Sequence, residues 1–236
     1  LKGAEDPTRA HRLEKIPIVQ IYNIMETMEE FILELELMEG NDLFDELSES
    51  GGHFSEEAVQ NIAVQLVDAA TLCYQSGFGH RDIKLQNITF PLIGKGMNHS
   101  CNMNIKLADF GMAGFRGNDG LMRGRCGTPG YVAPEIFMAG KREGYDPNVD
   151  IFSVGVVLYT LLCGYEQFYG EDDQELIMAN KSVQYEFHSP EWDGISENAK
   201  DFIKNCLKPR DRFTPMDALE HSWLKAVAVR RMSDHA

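Results

Sequence analysis

The spacing of hydrophobic positions changes character along the chain. Ile18-Val19-Gln20-Ile21-Tyr22 is a short apolar run, and Phe31-Ile32-Leu33-Glu34-Leu35-Glu36-Leu37 alternates with period two; both read as β-strands. From Ser55 the period becomes helical. Val59, Ile62, Ala63, Leu66, Val67, Ala70, Cys73 and Tyr74 share a face, Ser55 is the expected N-cap, and Gly77 and Gly79 end the run. Short strands are expected at 88–90 and 105–107, with a Gly/Asn-rich loop between them. Residues 150–163 are apolar nearly all round, which predicts a helix inside the domain rather than on its surface. Ser196 opens another helix, with Ala199, Phe202, Ile203, Cys206 and Leu207 inward. Thr214-Pro215-Met216-Asp217 then combines a capping threonine, a first-turn proline and a first-turn acid. Two strands followed by a long helical body make the class α+β.

Composition narrows the possibilities. With 236 residues, 43% hydrophobic and 10% aromatic, the chain can bury a core and is not disordered as a whole. The longest apolar run, 151–165, is shorter than the roughly 18–20 residues that span a membrane, so no membrane association is expected. The polar opening Lys2-Gly3-Ala4-Glu5-Asp6 does not read as a signal peptide. Five cysteines without a CxxC pair fit a reducing compartment, cytoplasmic or nuclear. A net charge of −15 argues against nucleic acid as a partner. It either draws basic peptide segments or serves solubility alone.

Candidate chemistry lies between the long helix and the weak strands, in His80-Arg81-Asp82-Ile83-Lys84-Leu85-Gln86-Asn87. Asp109-Phe110-Gly111 follows about twenty residues later, and Ala133-Pro134-Glu135 after that. These groups suit phosphoryl transfer. Asp82 can orient a hydroxyl nucleophile and accept its proton, and Lys84 can stabilise charge on the moving phosphoryl. Asn87 and Asp109 offer oxygen ligands to Mg²⁺. Each is weak alone, because a lone DFG is usually a turn and a lone HRD is usually surface charge.

Taken in this order, over residues 17–223, the motifs resemble the protein kinase signature set. Gly127-Thr128-Pro129-Gly130-Tyr131, Asp150-Ile151-Phe152-Ser153-Val154-Gly155 and Arg212 agree with it. Gly164-Tyr165, Ser189-Pro190-Glu191-Trp192-Asp193 and His221-Ser222-Trp223-Leu224 are similar to the calcium/calmodulin-dependent group. The resemblance implies a kinase-like fold: a truncated small lobe at 1–38, a mainly helical large lobe at 39–224 and a tail at 225–236. It implies transfer of the ATP γ-phosphoryl to Ser or Thr, with Asp82, Lys84 and Thr128 catalytic and Asn87 and Asp109 holding Mg²⁺. Leu35 would be the gatekeeper, and the Glu36 carbonyl and Met38 amide would bind adenine. Asp42 would meet ribose and often a substrate arginine three residues before the acceptor. Asp150 would cap the catalytic-loop backbone, and Glu135 would pair with Arg212. Taken alone, 35–38 could equally be an ordinary edge strand.

Several positions depart from the family pattern. No glycine-rich loop and no V-A-I-K-like strand are legible, and Lys2 and Glu5 are poorly spaced substitutes, so the sequence reads as a fragment. Loss of single preorganised groups costs roughly 10²–10³ in rate, so a weak hold on Mg·ATP is expected. Residues 112–127 contain no Ser, Thr or Tyr, and Gly124 stands where many relatives carry an activating threonine. Arg81, the usual partner of that phosphate, must therefore find another, and activation by phosphorylation of this loop is not expected. Gln86 and Thr160 replace acids that bind a second substrate arginine. The expected substrates are thus proteins with Arg-x-x-Ser/Thr and little gain from arginine at the second position, a pattern that Arg230 and Ser233 of the chain itself reproduce. Asn98-His99-Ser100 matches a glycosylation sequon by chance. Two rivals stand beside the kinase reading: a pseudokinase that binds partners without turnover, and a small-molecule phosphotransferase. Calmodulin dependence is not legible, since no EF-hand pattern occurs and no clear calmodulin-binding helix follows Trp223.

Overall fold

The structure, a computed structural model, describes residues 16–91, 104–139, 143–225 and 227. Lys2, Glu5, the Asn98 sequon and the Arg230–Ser233 tail lie outside the described residues. The order is β1 (Ile21–Glu26), β2 (Phe31–Leu35), α1 (Leu43–Glu49), α2 (Glu56–Gln75), β3 (Phe78–Gly79), β4 (Ile88–Thr89), β5 (Lys106–Leu107) and β6 (Gly114–Phe115). Then come α3 (Pro134–Met138), α4 (Val149–Cys163), α5 (Asp173–Ser182), α6 (Glu197–Cys206) and α7 (Pro215–Leu219). Three antiparallel two-stranded pairs form: β1 with β2, β3 with β6, and β4 with β5. Among the described residues no helix is long and apolar enough to cross a membrane, and Cys73, Cys126, Cys163 and Cys206 are free thiols.

The core is built around α4. All 15 of its residues are buried, as its all-round apolarity predicts, and α2 and α6 pack against it. Gly155 lets α6 come close, since a Cβ there would sit 2.7 Å from Cys206 Cβ. The helix stops at Gly164, whose φ is 85° and where a Cβ would sit 2.2 Å from the Gly52 carbonyl oxygen, so no side chain is admitted. Glu56, in the first turn of α2, joins distant parts of the chain. It accepts from the Ser196 hydroxyl (2.6 Å) and amide (2.8 Å) and from the Trp223 indole (2.9 Å).

The first strand differs from the sequence expectation. It was expected at 18–22 and lies at Ile21–Glu26, because 17–19 is taken by the core: Leu107 donates to the Pro17 carbonyl (2.9 Å) and Val19 donates to Leu107 (3.0 Å). The second strand ends at Leu35 rather than Leu37, where the chain turns into the connector to α1. Both strands of the hairpin have exposed side chains. Its tie to the body runs through Glu36, which accepts from the Gln20 amide (3.1 Å) and pairs with buried Lys106 at 3.3 Å, without hydrogen-bond geometry.

Candidate active site

The segment between α2 and β4 is pinned at both ends and from beneath. β3 and β4 anchor its ends through their partners β6 and β5. From below, the buried Asp150 carboxylate accepts from the His80 amide (2.7 Å) and the Arg81 amide (2.8 Å). Burial pushes the Asp150 carboxyl pKa up, while His80 and the two amides hold it back. Arg81 has φ 68°, a left-handed conformation costing about 1–3 kcal/mol that the two amide bonds hold in place. His80 is fully buried. Its Nδ1 accepts from the Asp82 amide (3.2 Å), so Nε2 carries the proton and donates to the Ala108 carbonyl (2.9 Å).

Asp82, Lys84 and Thr128 come together, 46 residues apart at the extremes. The Thr128 hydroxyl donates to Asp82 Oδ1 at 2.6 Å and accepts from Lys84 Nζ at 3.0 Å, and Lys84 Nζ lies 3.0 Å from Asp82 Oδ2. Asn87 closes the other side, its amide donating to the Asp82 carbonyl (2.8 Å) and Oδ2 (3.1 Å). A carboxylate so surrounded keeps one orientation. Gly127 brings Thr128 within reach: at φ 103° its Cα lies so close to Arg81 that a Cβ would sit 2.6 Å from the Arg81 carbonyl.

Asp109 sits on a neighbouring turn. Its backbone is left-handed (φ 56°), and its Oδ1 accepts from the Gly111 amide at 3.0 Å. The strand carrying it is bound to the Asp82 loop by Ala108, which donates to the Asn87 carbonyl at 2.8 Å. The Phe110 ring meets the His80 ring edge-on at 4.6 Å. With its Nδ2 committed to Asp82, Asn87 has an amide oxygen left to offer, and Asp109 adds a carboxylate. Among the described residues no cluster of three or more His, Cys, Asp or Glu could hold a metal unaided. That donor set fits Mg²⁺, which takes one or two protein oxygens and draws its other ligands from phosphates and water.

Leu35 ends β2, and Glu36, Met38 and Asp42 lie along the connector that follows it. This connector is joined to β4 by Gly40 donating to Phe90 (3.0 Å), Phe90 donating to Asn41 (3.1 Å) and a bridge from Asp42 to Thr89. The Met38 amide donates to no acceptor among the described residues. Asp42 has a structural task as well: its Oδ1 accepts from the Phe44 and Asp45 amides, both at 3.0 Å, and caps α1. The expected ion pair is present too, with Arg212 bidentate on Glu135 at 2.6 and 3.1 Å.

Two features went beyond the sequence reading. Arg81 finds its partners within the protein: Nε donates to the Met112 carbonyl (2.7 Å), and Nη1 to the Arg123 carbonyl (2.9 Å) and the Tyr145 hydroxyl (3.2 Å). Tyr145 in turn donates to the Gly124 carbonyl at 2.6 Å. The loop is thus held by neutral acceptors at the position where a phosphothreonine is absent. Glu166 was also missed. It lies in a loop after α4 with no local motif, and only the fold brings it into one cavity with Gln86 and Thr160.

The protein kinase domain family matches this chain over residues 8–224. The chain is 36% identical to a calcium/calmodulin-dependent protein kinase type 1 of Caenorhabditis briggsae over 231 residues, covering 95% of this chain and 62% of that protein. It is 38% identical to a calcium/calmodulin-dependent protein kinase type IV of Mus musculus over 221 residues, covering 92% and 45%. A probable myosin light chain kinase of Dictyostelium discoideum is 37% identical over 216 residues, covering 90% and 53%. The chain belongs to the protein kinase domain family and resembles its calcium/calmodulin-dependent members. It spans less than two thirds of the length of these three relatives.

Replacing Asp150 with Asn sets a donor against one of two buried amide donors. The expected cost is about 1–3 kcal/mol in urea unfolding, with a matching loss of local protection at His80 and Arg81. Unchanged stability would show that the two amides are satisfied without the carboxylate.

Proposed function

We propose that the protein is a serine/threonine kinase that moves the γ-phosphoryl of ATP to Ser or Thr hydroxyls of protein substrates carrying nearby basic residues. The observation that carries this reading is the closed arrangement of Asp82, Lys84 and Thr128. Asp82 is oriented by three neighbours and can still accept a proton from an incoming hydroxyl, which makes it the base and the orienting group. Lys84 holds a positive charge beside the same carboxylate, where charge on the transferring group would gather. Thr128 ties both to the segment that receives the peptide. Asn87 and Asp109 would hold Mg²⁺, which when bound supplies charge neutralisation on the phosphoryl oxygens. Leu35, Glu36 and Met38 would receive adenine, the Met38 amide being the free donor, and Asp42 would meet ribose. Arg81, already satisfied by Met112, Arg123 and Tyr145, supports a loop that needs no phosphate to hold its shape.

Asp82→Asn in the full-length protein keeps the shape of the side chain and removes the base. Phosphotransfer to a peptide should fall by at least about 10², the typical worth of a positioned base, with little change in melting temperature. Turnover comparable to the parent would contradict the assignment. A parent protein that binds substrate peptides without turnover would favour a binding module instead.

The basic preference has its own test. Asp42→Ala would also remove the cap of α1, so Asp42→Asn is the better variant, since asparagine caps as well as aspartate. We expect it to lose about 1–2 kcal/mol of preference for arginine three residues before the acceptor. An unchanged arginine preference in a peptide array would remove Asp42 from substrate recognition.

A further inference from the structure

A cavity of about 450 Å³ opens directly beside the catalytic group. Its lining includes Lys84 and Thr128, which hold Asp82, and also Glu166, Gln167 and Tyr131. Lys84 is already matched by Asp82 and Thr128, each at 3.0 Å, so its charge is spoken for. Glu166 makes no ion pair or hydrogen bond among the described residues. A second cavity of about 230 Å³ meets the first at Thr160 and Glu166, which puts Glu166 on the wall common to both.

The polar groups beside Glu166 are unmet. The Tyr131 hydroxyl and both amide atoms of Gln167 are buried without a hydrogen-bond partner, and Tyr131 as a whole is only 7% exposed. Buried polar atoms in this state are rare in folded proteins and point to a missing partner. The Glu166 charge reaches the Tyr131 hydroxyl: after burial, it is what raises the phenol pKa. A guanidinium suits the acceptors among these groups, the Glu166 carboxylate, Gln167 Oε1 and the Tyr131 oxygen, because it offers five donors in a planar arrangement. Phe168 and Leu176 supply apolar surface for the stem of a long side chain.

We propose that Glu166 is a specificity residue that binds an arginine of the substrate within two residues of the acceptor hydroxyl. The spacing follows from a single cavity of about 450 Å³ being lined by both Lys84 and Glu166, since an extended peptide advances about 3.3–3.6 Å per residue. This replaces the expectation from Gln86 and Thr160, whose neutrality suggested little gain from a second arginine. The needed charge comes from another part of the chain. The proposal rests on the phosphotransfer reading above.

The test uses the full-length protein and serine peptides of neutral sequence, with one arginine or alanine at each of the two positions on either side of the serine. Transfer (kcat/KM) and equilibrium binding by fluorescence anisotropy are both measured. At one of these positions the arginine/alanine ratio of kcat/KM should be about three- to tenfold, as for a partly screened ion pair. The ratio should fall near one in Glu166→Gln, below one in Glu166→Lys, and shrink at high salt. Transfer with a ratio near one at all four positions, or a ratio that Glu166→Gln leaves intact, overturns the subsite while the kinase reading stands. Arginine-dependent binding lost in Glu166→Gln, without transfer to any peptide, supports the subsite and overturns the kinase reading.

Discussion

One buried carboxylate carries more of this structure than any other group. Asp150 sits in the first turn of a helix whose every residue is buried, and it reaches out to two successive amides of the loop bearing Asp82. Burying a charge is costly unless it is well bonded, and here two amides supply the bonds. The loop therefore does not ride on the surface of the domain. It is attached to the element around which the domain packs, and the left-handed turn at Arg81 is held in place by that attachment.

From that anchor the site extends outward by short steps. His80, fixed as one tautomer, connects the loop to the strand before Asp109. Arg81 gathers the segment after Asp109 by donating to two carbonyls and a tyrosine hydroxyl. Thr128 then brings the segment's far end back onto Asp82 and Lys84. The Asp82–Lys84–Thr128 cluster and the segment after Asp109 are thus two ends of a single hydrogen-bonded path. Arg81, the cation that the family resemblance assigns to a phosphate, already has acceptors within the protein.

Much of this was legible in the sequence, for definite reasons. Residues 150–163 have no polar face, so a central helix was the only comfortable place for them. Ser55, Ser196 and Thr214 announce their helices because capping is local chemistry, and each caps as expected. Asp82, Lys84, Asn87 and Thr128 were legible as a set through their motifs, and Asp82 gathers the other three in space. What escaped was long-range or contested. Ile18 looked like part of the first strand, yet its backbone is claimed by Leu107, nearly ninety residues away. Asp42 was read for substrate binding, and its carboxylate also caps α1. Glu166 carries no motif at all, and it shares a cavity with Gln86 and Thr160 only once α4 and the Asp82 loop are packed together.

The central claim is that the catalytic loop belongs energetically to the core. Native-state hydrogen exchange at the His80 and Arg81 amides measures this directly, because each amide reports the free energy of the opening that exposes it. If Asp150 anchors the loop as described, both amides exchange only through global unfolding, with the same protection as the amides of Val154 to Leu158 in α4. Exchange of His80 and Arg81 through low-energy local openings, while α4 stays fully protected, would contradict the account.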